Sequence, residues 1–257
     1  MKKEAFHRER GPYVSGMRTA LRTLGLTAIC MLAFAGNSLL CRAALEPHSE
    51  GPRIDPASFT AIRIGAGALI LLPILLRRSA GEAAAVSGGI GRTLLGGALL
   101  LTYAFSFAVS YRTVPTGTGA LLLFGAVQFT MLGAARLEGE RLGARRGAGA
   151  LLAAGGLLLL FAPSQDSLQS TDAGGAALMA LSGVAWGSYT LLGRGRKAPT
   201  RATAQNFAAA LPVALLLLPF ADVRVTGAGV ALAAASGAFC SGLGYALWYV
   251  ALAGHSA

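Results

Sequence analysis

Apolar residues run along this chain in long blocks, separated by short stretches that carry most of the charge. One crossing of the hydrocarbon layer takes roughly 20 apolar residues in a helix. Eight blocks approach that length: Leu24–Leu45, Ala57–Leu76, Thr93–Tyr111, Gly117–Ala135, Gly147–Phe161, Ala173–Leu192, Thr203–Phe220 and Gly227–Gly254. The fifth is short and the last is long. Backbone groups in lipid must be bonded within their own segment, and the blocks lack the two-residue alternation of a membrane barrel, so helices are the remaining solution. The pattern predicts an all-α integral membrane protein with about eight helices in the 257 residues.

Charge orients the helices. With the N-terminus in the cytoplasm, 17 of the 22 Lys and Arg residues fall on cytoplasmic segments, in groups around Lys2–Arg22, Arg77–Arg92, Arg136–Arg146 and Arg194–Arg201. The external loops hold Arg53, Arg112 and Arg224, while Arg42 and Arg63 lie within spans. An excess of Lys and Arg on the cytoplasmic side is the rule for membrane proteins, and here it holds across all the loops. The expected location is the cell (inner) membrane, multi-pass, with a cytoplasmic segment over 1–23.

Composition removes several function classes. Charged residues are 13% of the chain against about 25% in a soluble domain, and 54% is hydrophobic. A net charge of +11 would fit nucleic acid, but the basic residues sit in clusters between apolar runs, with no basic stripe carrying interleaved aromatics. Cys30, Cys41 and Cys240 lie inside apolar runs and form no CxxC pair, and His7, His48 and His255 are scattered, so no metal or other cofactor is expected. No Walker motif or dinucleotide fingerprint is present, and the glycine-rich stretches fall inside membrane helices. The first apolar run begins after about 22 residues and lacks a small-x-small cleavage site, so it reads as a membrane helix and not a signal peptide. Gly183 and Gly187 form a GxxxG, and Gly155–Gly156 and Gly237–Ser241 offer further close-approach surfaces for helix packing.

The chain also echoes itself. With a shift of 151 residues Gly36 aligns with Gly187 and Asn37 with Ser188. Leu71–Pro73 and Leu217–Pro219 both read Leu-Leu-Pro, and a shift of 141 sets Phe107 opposite Trp248 and Ser110 opposite Ala251. These echoes suggest a duplicated five-helix unit, whose odd number of spans gives the two copies opposite orientation. Inverted repeats build carriers with a site between two alternately opening halves.

Ala135–Leu160, with Gly139, Glu140, Arg141 and Leu142 ahead of a glycine-rich helix, resembles the fourth-to-fifth helix junction of the drug/metabolite transporter superfamily, EamA type. SGVAWGSYTLLGR around Ser188 is similar to the start of that family's second half, and Tyr111–Leu122 to its third-to-fourth helix link. Ala120–Leu132 resembles the family's branch of aromatic amino acid exporters. The resemblance spans about 24 to 257. It implies inverted five-helix repeats of a ten-helix transporter, with a first repeat over 24–163 and an incomplete second one over 173–257. It also implies export of amino acids, including aromatic ones, through a central cavity. A counterpart of Ala120–Pro163 would fall at about 261–304, and the chain stops at Ala257, so the expectation is a chain truncated before two final helices.

Candidate ligand contacts are the polar and aromatic residues within spans. Asn37 and Gln128 lie near mid-span and either meet a substrate's amino or carboxylate group or bond a neighbouring helix. Arg63 lies about two turns into its span; it either pairs with a substrate carboxylate or snorkels, and Arg42, nearer an interface, is expected to snorkel. Tyr103 and Phe107 recur at helical spacing in the third span, Trp186 and Tyr189 mark the sixth, and Tyr245 and Trp248 the eighth. Such a face suits an amphiphilic ligand, while Tyr and Trp at span ends also form interfacial belts, the reading given to Tyr111. No Asp or Glu falls in any predicted span, which favours a facilitator or exchanger over a proton-coupled carrier. The sequence thus predicts a non-enzymatic exporter of small metabolites working in the bilayer by alternating access, with no nucleic-acid partner and an oligomeric state left open. The alternatives are another metabolite or drug of the same superfamily, or a membrane subunit without transport activity.

Overall fold

The computed structural model describes residues 2–46, 52–77, 89–140, 143, 147–149, 151–152, 155–156, 172–196, 198–221 and 225–248. Within these the chain is helical, in the order α1 (Lys2–Leu45), α2 (Pro56–Leu76), α3 (Gly89–Ser110), α4 (Thr116–Leu137), α5 (Ala173–Gly193), α6 (Pro199–Leu215) and α7 (Gly227–Ala235), the last continuing as a π-helix over Ser236–Leu243. Six segments are long and apolar enough to cross a membrane: Thr23–Leu45, Pro56–Leu76, Gly89–Ser110, Thr116–Leu137, Ala173–Gly193 and Gly227–Trp248. The protein is a multi-pass helical membrane protein.

Local chemistry sets the helix starts. Asp55 caps α2, its Oδ1 accepting the Ala57 and Ser58 N–H groups at 2.8 and 2.9 Å, and Pro56 occupies the first turn, where no N–H is needed. Asp172 caps α5 through the Gly175 N–H at 2.9 Å, and Thr226 caps α7 through the Gly229 N–H at 3.1 Å. The Thr226 hydroxyl also donates to the Arg53 carbonyl at 2.9 Å, which ties the start of α7 to the turn before α2.

Two segments differ from the sequence pattern. The first helix begins at Lys2, well before the apolar run. The run expected to continue from Thr203 to Phe220 is helical only to Leu215 and then turns into a 3₁₀ segment at Leu218–Phe220. Pro219 explains the break, because it has no N–H to bond the Leu215 carbonyl four residues back and its ring would clash with that carbonyl in a continued α-helix. At 1.5 Å per residue, the 17 residues of α6 reach about 25 Å, short of the roughly 30 Å hydrocarbon thickness. The fifth predicted span, Gly147–Phe161, lies largely outside the described residues.

The helices pack as a bundle in which α3 rests on α5, α1 on α7, α2 on α7, α6 on α3, α2 on α6 and α4 on α5. Small residues permit the closest crossings. A Cβ at Gly183 would collide with the Leu123 carbonyl and the Ala126 methyl of α4, and one at Gly237 with the Arg63 backbone and the Ala66 methyl of α2. Leu32, Leu69, Leu76 and Leu121 stand exposed on the outer faces, as lipid contact requires.

Candidate functional site

Arg63 is the largest side chain sealed inside the bundle, at 1% exposure. It sits on the second turn of α2, where Gly237 lets α7 lie against its backbone. Its Nε donates to Ser241 Oγ on α7 at 3.1 Å, and its Nη2 donates to the Tyr103 hydroxyl on α3 at 2.9 Å. The guanidinium carbon lies 5.0 Å from the Tyr103 ring centre and 5.2 Å from that of Phe107, so two aromatic faces share its charge. Nη1 is buried and has no hydrogen-bond partner.

The polar chain extends from there. Asn37 Nδ2 on α1 donates to the same Tyr103 hydroxyl at 3.2 Å, and the Ser236 hydroxyl donates to Asn37 Oδ1 at 2.6 Å. One buried hydroxyl thus accepts from two helices while α7 holds the far end. Burying polar groups in hydrocarbon is costly unless they are bonded, so this chain is a specific arrangement. The Tyr245 hydroxyl is also buried; it neighbours the Tyr103 hydroxyl but makes no well-formed hydrogen bond.

Aromatic rings enclose the polar chain. Trp186 on α5 lies 4.9 Å from Tyr103 and 4.5 Å from Tyr245, and stacks on Tyr189 at 5.5 Å. Phe34, one turn before Asn37, meets Trp186, Tyr245 and Trp248 at 6.0–6.2 Å. Between them is a cavity of about 20 Å³, bordered by α1, α3, α4, α5 and α7 and lined by residues that include Asn37, Tyr103, Phe107, Trp186 and Tyr245. That space holds about one water molecule, whereas ligand pockets begin at about 300 Å³. The cavity is too narrow for a metabolite in this conformation.

Of the residues picked from sequence, Asn37, Arg63, Tyr103, Phe107, Trp186, Tyr189, Tyr245 and Trp248 come together in this cluster. Gln128 does not: it is exposed on α4 and is absent from the cavity wall. The reason is helical phase, since Leu123, Ala126 and Thr130 face α5 across Gly183 and Gly187, which turns position 128 outward. Tyr111, expected in an interfacial belt, is fully buried, edge-on to Phe107 at 4.7 Å. Arg42 does not snorkel freely either: its Nη1 donates to the Tyr111 and Val114 carbonyls at 2.9 and 3.2 Å, and its Nη2 pairs with Glu46 at 2.6 Å. The sequence reading missed Phe34, Ser236 and Ser241. The spacing of Phe34 from Asn37 could have found the first; Ser241 was hidden at the end of a stretch read as packing, and Ser236 just before it carried no signal of its own.

Among the described residues, no three His, Cys, Asp or Glu side chains converge on a point that could hold a metal. The three cysteines are free and buried. No protein-family model matches the chain. It is 53% identical over 239 residues to the uncharacterized protein PA1977 of Pseudomonas aeruginosa, a match that covers 92% of this chain and 79% of the relative. At that identity and coverage, the chain belongs to the same family as PA1977.

Proposed function

We propose that this protein is a membrane carrier that exports small metabolites, amino acids including aromatic ones among them, by alternating access through this cavity. The observation that carries the reading is the polar chain Arg63–Tyr103–Asn37–Ser236, sealed inside an aromatic wall within the membrane spans. Polar and charged groups at that depth are expensive and mark ligand paths by default. An aromatic cage with a few convergent polar groups suits a ligand that has a flat apolar body and a charged head.

Helix neighbours support the inverted repeat. Exchanging α1 with α5, α2 with α6 and α3 with α7 turns the α3–α5 contact into α7–α1 and the α2–α7 contact into α6–α3, and returns α2–α6 to itself. All of these contacts are present, while the α2–α3 contact has no α6–α7 counterpart of similar extent among the described residues. This pattern, with the resemblance at Ala135–Leu160, favours a place in the drug/metabolite transporter superfamily, EamA type. The carrier would run down its substrate gradient or by exchange in the inner membrane, N-terminus inside, with neither enzymatic chemistry nor ATP. Nucleotide sugars and sugar phosphates fit less well, because among the described residues Arg63 is the one cation bonded to the cavity wall, through the Tyr103 hydroxyl.

Counterflow tests the proposal. Proteoliposomes preloaded with unlabelled amino acid should take up labelled Trp, Phe or Thr in a saturable way that requires the internal load. Uptake equal to that of protein-free vesicles, from protein that remains monodisperse and folded, refutes the reading.

A further inference from the structure

We infer that the cavity selects its ligand by charge: it binds an aromatic monocarboxylate, whose carboxylate sits on the free side of the Arg63 guanidinium and the Tyr245 hydroxyl, ahead of zwitterionic amino acids. The placement of this site on an export path rests on the proposed function; the anion site itself stands on the surroundings of Arg63.

Guanidinium carries five N–H donors and cannot lose its charge. Arg63 uses two of them, one to Ser241 and one to Tyr103. Both acceptors are neutral hydroxyls, so they satisfy hydrogen bonds and leave the charge uncompensated. Among the described residues the ion pairs Arg42–Glu46 and Arg194–Glu138 both lie outside the cluster, and no Asp or Glu lines the cavity. A buried cation with no counter-ion is among the costliest arrangements in a protein interior, and a bound anion relieves it.

The free donors match one ligand head. Nη1, together with the second Nη2 hydrogen, forms a two-pronged fork that fits the two oxygens of a carboxylate. The fork lies behind the Tyr103 and Phe107 rings that line the cavity, so the ligand head reaches it where those rings part. The buried Tyr245 hydroxyl, a neighbour of the Tyr103 hydroxyl that makes no well-formed hydrogen bond, is a third donor on the cavity wall. Trp186, Phe34 and Phe107 then supply flat apolar walls for an aryl body.

Charge counting separates the ligand classes. One cation neutralises one negative charge, so a phosphate dianion would leave an excess. A zwitterion would bring an ammonium group into a cavity whose wall has no carboxylate to receive it, beside the Arg63 charge. Ring faces and the Asn37 carbonyl are its remaining partners, which ranks amino acids below monocarboxylates and above amines.

Isothermal titration of the full chain in detergent tests the ranking with 3-phenylpropanoate, phenylalanine, 3-phenylpropanamide and phenethylamine. 3-Phenylpropanoate should bind at least about tenfold more tightly than its amide, since charge-assisted bonds are at stake. Arg63→Gln should bring that ratio to about one. Tyr245→Phe removes a hydroxyl that makes no well-formed hydrogen bond in the empty site, so it should fold normally, weaken the carboxylate severalfold, and weaken the amide, whose carbonyl is the poorer acceptor, by less. Equal binding of acid and amide overturns the inference, as does a Tyr245→Phe variant indistinguishable from wild type. Chloride against isethionate buffer distinguishes a halide site: displacement of 3-phenylpropanoate by equimolar chloride overturns the carboxylate assignment. The two readings fail separately. The expected ranking without counterflow refutes the carrier alone, and counterflow of amine and amide at the rate of the acid refutes the anion site alone.

Discussion

Removing single hydroxyls tests whether Tyr103 is the junction of the buried network. Tyr103→Phe keeps the ring and deletes the oxygen that accepts from Arg63 at 2.9 Å and from Asn37 at 3.2 Å. A hydrogen bond to a charged group contributes about 1.5–3 kcal/mol, and a neutral side-chain bond between membrane helices about 0.6 kcal/mol. The expected loss is therefore about 2–3.5 kcal/mol. Tyr189→Phe deletes a hydroxyl that donates to Thr203 at 3.4 Å and accepts from Asn206 at 3.2 Å, two neutral and long contacts, so about 1 kcal/mol is lost. Tyr245→Phe deletes a buried hydroxyl that makes no well-formed hydrogen bond and should be close to neutral. The assay is reversible unfolding of the three variants in mixed SDS micelles, followed by tryptophan fluorescence and far-UV circular dichroism. The expected order is Tyr103→Phe least stable, then Tyr189→Phe, with Tyr245→Phe close to wild type. A Tyr103→Phe protein as stable as Tyr189→Phe would refute the reasoning, because Arg63 would then be held by something other than that oxygen.

Other changes follow from packing and exposure. Gly183→Val should cost at least about 3 kcal/mol or prevent folding, because its side chain enters the Leu123 backbone, whereas Gly133→Ala, with open space around it, should be neutral or gain up to about 1 kcal/mol of helix propensity; thermal stability in detergent compares them. Gln128→Leu should leave binding and counterflow unchanged, since the residue is exposed on α4, and a loss of ligand affinity would return it to the site. Thr113→Cys should react with an impermeant maleimide on intact cells and Arg194→Cys only after permeabilisation, against a quiet background of three buried cysteines; the reverse pattern would invert the topology.

The helices were legible in the sequence because lipid imposes one requirement on every residue of a span, and a run of apolar side chains states it locally. The membership of the cluster was also largely readable, because Arg63, Asn37 and the tyrosines are polar residues in runs that otherwise exclude them. Their mutual geometry was not. That Gln128 faces outward while Tyr111 faces in depends on which face of α4 meets Gly183 and on how Arg42 pins the turn after α3, and both are contacts between distant segments. The end of α6 failed for a different reason: the apolar run persists through Leu218, so hydropathy alone misses the backbone constraint of Pro219. Ser236 and Ser241 escaped because small residues serve packing and hydrogen bonding alike. Only the eight-residue π-helix, which sets the direction of each along α7, reveals that one meets Asn37 and the other Arg63.

The charge of Arg63, which has no carboxylate partner among the described residues, also bears on how a carrier of this kind would cycle. Reorientation with an empty site moves a buried cation past changing neighbours, so its bonds to Ser241 on α7 and Tyr103 on α3 must break with no ligand to replace them. Reorientation with a carboxylate bound moves a neutral pair whose hydrogen bonds travel with it. The difference is the cost of a buried charge losing partners, several kcal/mol in proteins, and each 1.36 kcal/mol is a factor of ten in rate. Exchange should therefore outrun net efflux by at least about tenfold, measured as release of labelled substrate from preloaded proteoliposomes with and without external substrate. In Arg63→Gln the empty site carries no charge, and the two rates should converge even as affinity falls. Net efflux as fast as exchange in the wild-type protein would mean that the empty site crosses freely, and the buried charge would then have to be compensated by a group outside the residues described.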